Sequence, residues 1–378
     1  MTANGGKITV LIVGGFPSGQ GGKIYGGQVT ACMRLLDSSF VRRHTVSTLD
    51  TTQISTPPPP FSIRLLLAGK RLARFFATVL FQRPDVVIIF LADGASAIEK
   101  GVMARFACAC RVPVMVFPRA GSLIRQYDSS RCFAAFVQST LGRADIFLCQ
   151  GISFQRFATQ ELGFSPASAP IIPNWTAADE YLRIGARREY PQNITLQHIV
   201  FLGWLEEFKG VFELLEAVRL LRDAKIPFHL TFGGDGTALP KARQFVELHQ
   251  LGDRVTFAGW VDEDTKLSLL EVGQIFVLPS WSEGLPNAMI EAMSAGLACV
   301  VTNVGMIPDY VVSNRDALIV EPRDVPGVFV ALKRLITDQT LRENISKNGF
   351  MLVRSNFTLE NGANLLSVAV ARIYCRFQ

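Results

Sequence analysis

The cysteines of this sequence show no metal-ligand spacing. The seven, Cys32, Cys108, Cys110, Cys132, Cys149, Cys299 and Cys375, are scattered through apolar or helical contexts, a pattern that suits buried free thiols in a reducing compartment. Residues 1–7 lack a charged region leading into an apolar core and a small-residue cleavage site, so no secretory signal is expected and a cytoplasmic location follows. A long charge-free apolar run is missing too: residues 61–81 are interrupted by Arg64, Lys70, Arg71 and Arg74, too many charges for a transmembrane span. There is no RNA-reading aromatic motif and no basic tail. The net charge of +6 and sequence pI of 9.0 therefore fit an anionic ligand or anionic membrane surface without requiring nucleic acid. With 49% hydrophobic and 19% charged residues there is no case for disorder, and 378 residues suffice for roughly two domains.

What is present is an alternation of short apolar runs and helical stretches. A strand at residues 8–13, a glycine-laden loop over 14–27 and a helix at 28–36 begin a Rossmann-like unit. Residues 46–49, 85–91, 114–118, 146–149 and 170–173 give further strand or strand-end signals. The pattern restarts with strands at 198–202, 228–232, 255–257, 275–278, 298–302 and 317–320, with helices at 211–224 and 241–251 between them. This predicts an α/β fold with two doubly wound parallel-sheet domains, residues 1–175 and 176–360, joined near 174–193 and facing an interdomain cleft. Residues 361–377 read as a final helix. The proline run 57–60 is a stiff lead into residues 61–81, a basic amphipathic helix that suits an anionic membrane surface. The plainer alternative is a helix packed on the first sheet with its charges solvated.

The most informative segment is residues 279–296. The apolar strand at 274–278 stops at Pro279, Gly284 permits a tight turn, Pro286 suits a first helical position, and residues 288–295 read as helix up to Gly296 as a C′ residue. In an open parallel sheet ligands bind at this carboxyl edge, and the amides of a helix start attract phosphate. Glu283 precedes the helix and Glu291 lies about 7.5 Å along it, so the two can serve different hydroxyls of one elongated ligand. Otherwise Glu283 is a solvated loop residue and Glu291 an exposed helix residue.

Glu, seven residues, Glu, with Gly-Leu-Pro after the first and Glu-Ala-Met before a small residue and Gly, resembles the signature of family-4 retaining glycosyltransferases of the GT-B fold, the glycosyl transferases group 1. The resemblance is strong over residues 198–322 and weak before 150. It implies a nucleotide diphosphate sugar such as a UDP- or GDP-sugar as donor, with no cofactor and no metal, and a final helix over 361–378 that crosses back to the first domain. It implies that Glu283 orients the donor sugar, that Glu291 binds the ribose, and that Gly284, Leu285, Pro286 and Asn287 shape the donor site. In the same resemblance the Lys of a Gly-Arg…Lys-Gly motif binds the diphosphate. That Lys is Lys209, while Trp204 stands where Arg is usual. Gly234, in Gly233-Gly234-Asp235-Gly236, matches a turn near the nucleotide, or is only a tight turn. Residues 255–259 match a strand and turn that border the base.

In the first domain Gly26-Gly27 match a Gly-Gly pair that opens the first helix, for close approach to acceptor or phosphate; Gly21-Gly22 is the other such pair. A Walker A reading fails because Gly22-Lys23 is followed by Ile24, and the loop is too long for a dinucleotide fingerprint. Related enzymes often place His near the donor sugar where this chain has Arg119, and none of its four histidines falls in that loop. A permanent cation is no general base, but it can bind a phosphate or an acidic acceptor; the plainer role is a surface salt bridge. Asp262-Glu263-Asp264 precedes a helix, so N-capping is simpler than metal binding. The expectation is a metal-independent hexosyltransferase acting on a glycolipid or oligosaccharide of bacterial surface polysaccharide synthesis, cytoplasmic or peripheral on the inner membrane face. A sugar-nucleotide epimerase of the same architecture and a catalytically impaired sugar-nucleotide-binding protein are the alternatives.

Overall fold

The computed structural model describes residues 6–17, 26–53, 59–190 and 196–378. The pair Gly21-Gly22, most of residues 1–7, and Pro57-Pro58 lie outside the described residues. The chain divides into two compact units, residues 1–176 with 359–378, and residues 177–358.

The first unit holds five parallel strands, β1 (Thr9–Gly14), β2 (Thr45–Asp50), β3 (Val86–Leu91), β4 (Val114–Pro118) and β5 (Ile146–Phe147), in the order β2-β1-β3-β4-β5. Every residue of β3 and β4 is buried, as expected for central strands covered on both faces, whereas the edge strand β2 alternates with polar, exposed positions. Helix Leu359–Phe377 returns from the chain's end to this unit and buries Leu366, Val370 and Ile373 with Ile12, Ile88 and Met115. Each such side chain contributes about 1.5–3 kcal/mol when fully buried. Residues 170–173 do not form a strand. A single bridge pairs Ile171 with Cys149, because prolines at 170 and 173 have no N–H to continue a ladder.

The helix expected over 61–81 is α-helical from Phe61 to Ala77 and continues as a π-helical turn, Thr78–Gln82. It packs on helix Gly94–Ala109, through stacked Phe76 and Phe106 rings 4.0 Å apart and an Arg71–Glu99 ion pair at 2.6 Å.

The second unit holds six parallel strands, β6 (Gln197–Leu202), β7 (Phe228–Gly233), β8 (Val255–Gly259), β9 (Ile275–Leu278), β10 (Ala298–Thr302) and β11 (Leu318–Val320), in the order β11-β10-β9-β6-β7-β8. The strand order makes β6 and β9 neighbours, although their first paired residues, Ile199 and Ile275, lie 76 positions apart in the chain.

 Ile199 pairs with Ile275 and Val200 with Phe276, so the loops that leave β6 and β9 start side by side at the carboxyl edge. The strand boundaries expected at 114–118, 275–278 and 298–302 match the structure, and apart from 170–173 the others differ by one or two residues at one or both ends.

Candidate functional site

The β9 loop of the second unit runs from Pro279 to Pro286 and enters helix Asn287–Ser294. Pro286 is the N-cap, with extended backbone (φ −73°, ψ 121°), and Asn287 is the first helical residue, one position later than the sequence suggests. Asn287 is half-buried at the helix start, and the amides ahead of the first intrahelical bond have no acceptor along the helix. Gly296 ends the helix in the left-handed region at φ +73°. Leu285 and Pro286 are buried, so their side chains anchor the turn, while Gly284 is held by its carbonyl, which accepts from Met306 N–H at 2.9 Å.

Lys209 closes a short 3₁₀ turn, Glu207–Lys209, in the loop after β6. Gly210 follows at φ +74°, and a side chain there would overlap the carbonyl oxygen of Pro279. Only glycine therefore lets the two loops touch. Trp281 N–H donates to Phe208 O at 2.7 Å, and its indole N–H to Glu213 Oε1 at 2.9 Å. The outcome is a Lys209 Nζ to Glu283 Oε1 ion pair of 2.7 Å between half-buried side chains 74 positions apart in sequence. The Ser280 hydroxyl also donates to Glu283 Oε1, at 2.8 Å. Glu283 is therefore not a freely solvated loop residue, and Lys209 is not a lone solvated cation.

Glu291 is buried, which overturns its reading as an exposed helix residue. Its Oε2 accepts from Lys266 Nζ at 3.2 Å, and Lys266 also pairs with Glu263 at 3.2 Å, whose Oε1 accepts from the Tyr181 hydroxyl. Burial pulls the Lys266 ammonium down, but the two facing carboxylates outweigh it and hold its pKa above the ordinary lysine value. Sequence reasoning missed Lys266, because nothing at helical or strand spacing ties it to Glu291. Asp262 caps helix Glu263–Val272 by accepting from Thr265 N–H at 2.9 Å.

The loops after β6, β7 and β8 are stitched together. Gly203 N–H donates to Gly233 O at 3.0 Å, and Gly234 N–H to Gly259 O at 2.7 Å. A side chain at Gly234 would overlap the Gly203 carbonyl oxygen, so this glycine answers first to a backbone crossing. Trp204 and Trp260 meet across these loops with ring centroids 5.0 Å apart. Trp260 was not singled out in the sequence; its only signal was its place after residues 255–259.

The other expected site residues belong to the first unit. Gly26 is extended just before helix Gly27–Leu36, with open space where a side chain would be. Arg119 follows β4, with its guanidinium carbon 4.9 Å from the Phe117 ring centroid and 5.2 Å from that of Trp175. Among the described residues it makes no salt bridge to a carboxylate, so the surface salt bridge is overturned. Desolvation pushes its pKa down to about 10.

With this geometry in view, comparison with known proteins is specific. Residues 197–338 match the family model of the glycosyl transferases group 1. The chain is 27% identical over 250 residues to a putative teichuronic acid biosynthesis glycosyltransferase of Bacillus subtilis, covering 65% of this chain and 61% of that protein. It is 26% identical over 221 residues to a UDP-Gal:alpha-D-GlcNAc-diphosphoundecaprenol alpha-1,3-galactosyltransferase of Escherichia coli, covering 55% of this chain and 57% of that protein. The match thus spans under two thirds of either relative. Among solved structures, the sucrose-phosphate synthase of Thermosynechococcus elongatus superimposes with a TM-score of 0.75 at 17% identity, over 98% of this chain and 100% of the other. The chain has the GT-B fold, and residues 197–338 of its second unit are similar to the glycosyl transferases group 1.

Proposed function

We propose that this chain is a retaining, metal-independent hexosyltransferase that moves a sugar from a nucleotide diphosphate sugar to a hydroxyl of a glycolipid or oligosaccharide in bacterial surface polysaccharide synthesis. The observation that carries the reading is the Lys209–Glu283 pair at 2.7 Å, on adjacent loops beside the start of helix Asn287–Ser294. One cation, one carboxylate and a set of helix-start amides together suit a ligand with a charged diphosphate and a hydroxylated sugar. The names of the two relatives, one a polysaccharide glycosyltransferase and one a UDP-Gal enzyme with a lipid diphosphate acceptor, support the same substrate classes.

In this reading Lys209 and the helix-start amides stabilise the negative charge that grows on the departing diphosphate. Glu283 accepts hydrogen bonds from the donor sugar, Glu291 from the ribose, and the Trp204 ring borders the nucleotide. The bond from the anomeric carbon to the diphosphate oxygen breaks, and the acceptor oxygen bonds to the same face of that carbon. The acceptor's proton passes to the leaving phosphate oxygen, so the sequence needs no protein nucleophile. Donor binding falls to the second unit and acceptor binding to the first.

A membrane-borne acceptor is supported by residues 61–83, which carry Arg64, Lys70, Arg71, Arg74 and Arg83 and no carboxylate. Phe75 and Val79 are buried on the inner side of this helix, while Phe61 is 76% and Phe81 84% exposed, with Ile63, Leu65, Leu66 and Leu80 exposed as well. Exposed apolar side chains beside the exposed Arg64, Lys70, Arg74 and Arg83, with Arg71 matched by Glu99, suit an anionic lipid surface. Vesicle flotation tests this: binding to anionic vesicles at low salt should be lost on Leu66→Glu with Phe81→Glu, and a wild-type chain that stays in solution would refute it. The transferase reading is tested by screening UDP- and GDP-sugars with a cell-envelope lipid extract. Turnover should fall about 10²–10³-fold in Lys209→Ala and in Glu283→Ala while the fold persists, and full activity in both would sink the assignment.

A further inference from the structure

Arg119 is placed by its backbone and held by aromatic rings. Its N–H donates to Leu91 O at 2.8 Å, which continues the pairing of β4 with β3 by one residue. The side chain lies over Phe117, Trp175 and Phe90, with its guanidinium carbon 4.9, 5.2 and 6.0 Å from their centroids. These rings also pack on one another, at 5.4 Å for Phe90 and Phe117 and 5.8 Å for Phe117 and Trp175. The Trp175 indole N–H is fixed by donating to Ala31 O at 2.9 Å. The guanidinium is thus oriented by aromatic rings, with no salt bridge among the described residues.

That arrangement is costly unless something completes it. One terminal nitrogen, Nη1, is shielded from solvent and has no hydrogen-bond partner among the described residues. An unsatisfied buried donor costs about 1–3 kcal/mol, and more when charged. Cation–π contact returns about 0.5–2 kcal/mol and satisfies no N–H. Cys32 is the ionisable group whose charge would help, but burial pushes its thiol up to about 12, so it is neutral at physiological pH. A half-buried guanidinium at the carboxyl edge of an open parallel sheet has the fork of donors that matches the paired oxygens of phosphate or carboxylate.

We propose that Arg119, oriented by Phe90, Phe117 and Trp175, binds an oxyanion carried by the acceptor, so that the acceptor is a phosphorylated or acidic-sugar molecule and not a neutral glycan. The proposal rests on the reading of the first unit as the acceptor unit, but its test needs no turnover. Of the chain's four tryptophans, Trp175 alone lies in the first unit. Replacing Trp204, Trp260 and Trp281 by Phe makes its emission a local reporter in the full chain. Titration with inorganic phosphate or glucuronate should change that emission saturably, with phosphate or glucuronate identifying the source. The response should vanish in Arg119→Gln and weaken about tenfold in Arg119→Lys, which keeps the charge and loses the fork. No saturable response to either anion, or one that survives Arg119→Gln, overturns the proposal. A response to UDP alone also overturns it, because the oxyanion would then be the donor's.

Discussion

Two cations stand at the carboxyl edges of the two sheets, and they are kept in opposite ways. Lys209 is paired with Glu283 at 2.7 Å in the second unit, so its charge is already balanced. Arg119 in the first unit has aromatic rings around it, and one of its nitrogens has no acceptor among the described residues. A lysine on a flexible stem can leave one oxyanion for another, whereas a guanidinium wedged among rings is fixed in orientation. Under the proposed function, the contrast suits a donor side that binds and releases a diphosphate, and an acceptor side that selects for charge.

The largest effect expected from disturbing this contrast is on the paired cation. Lys209→Ala and Glu283→Ala should each lower turnover by about 10²–10³-fold, the scale for losing one group that stabilises developing charge. The double variant should be little worse than either single one, because residues that act as a unit are not additive. Fully additive losses in steady-state rates would mean that the two work separately. A smaller effect is expected at Gly210, whose left-handed backbone and contact with Pro279 hold the two loops together. Gly210→Ala should destabilise the second unit by about 1–3 kcal/mol in denaturant unfolding while leaving the Trp175 response to phosphate unchanged. A weakened Trp175 response would show that the two cations are coupled.

The smallest effect concerns the first unit alone. His44 is buried, with Nε2 3.2 Å from the Ser367 hydroxyl on helix Leu359–Phe377, and burial followed by the nearby charges of Arg43 and Lys7 lowers its pKa. A histidine whose folded pKa lies below its unfolded value favours the folded state above the unfolded value. That contribution is lost as pH falls from about 6.5 through the folded pKa. Thermal melts should therefore show a small loss of stability from pH 7.5 to 5.5 that His44→Gln reduces. An unchanged loss would assign it to other groups.

The alternation of apolar strands and helices was legible because parallel strands buried on both faces need continuous hydrophobic runs, as in residues 275–278 and 298–302. Capping was legible too, since Asp262 and Gly296 act within a turn of their own position. Residues 170–173 misled because two isoleucines look like a strand while their flanking prolines remove the ladder's donors. Within the candidate site, the sequence pointed to Lys209, Glu283 and Glu291 through a resemblance, but gave no sign that the first two pair or that Glu291 is buried beside Lys266.

By itself the sequence determined the two parallel α/β units, the turn that ends β9 and the helix that follows it, because strand burial, glycine turns and helix caps act over a few neighbouring residues. Only the tertiary structure decided which charges meet. Strand order placed the loop after β6 beside the loop after β9 and joined Lys209 to Glu283, while the rings of Phe90, Phe117 and Trp175 gathered around Arg119 from separate strands and loops. Such pairings depend on packing between distant segments, and no local spacing encodes them.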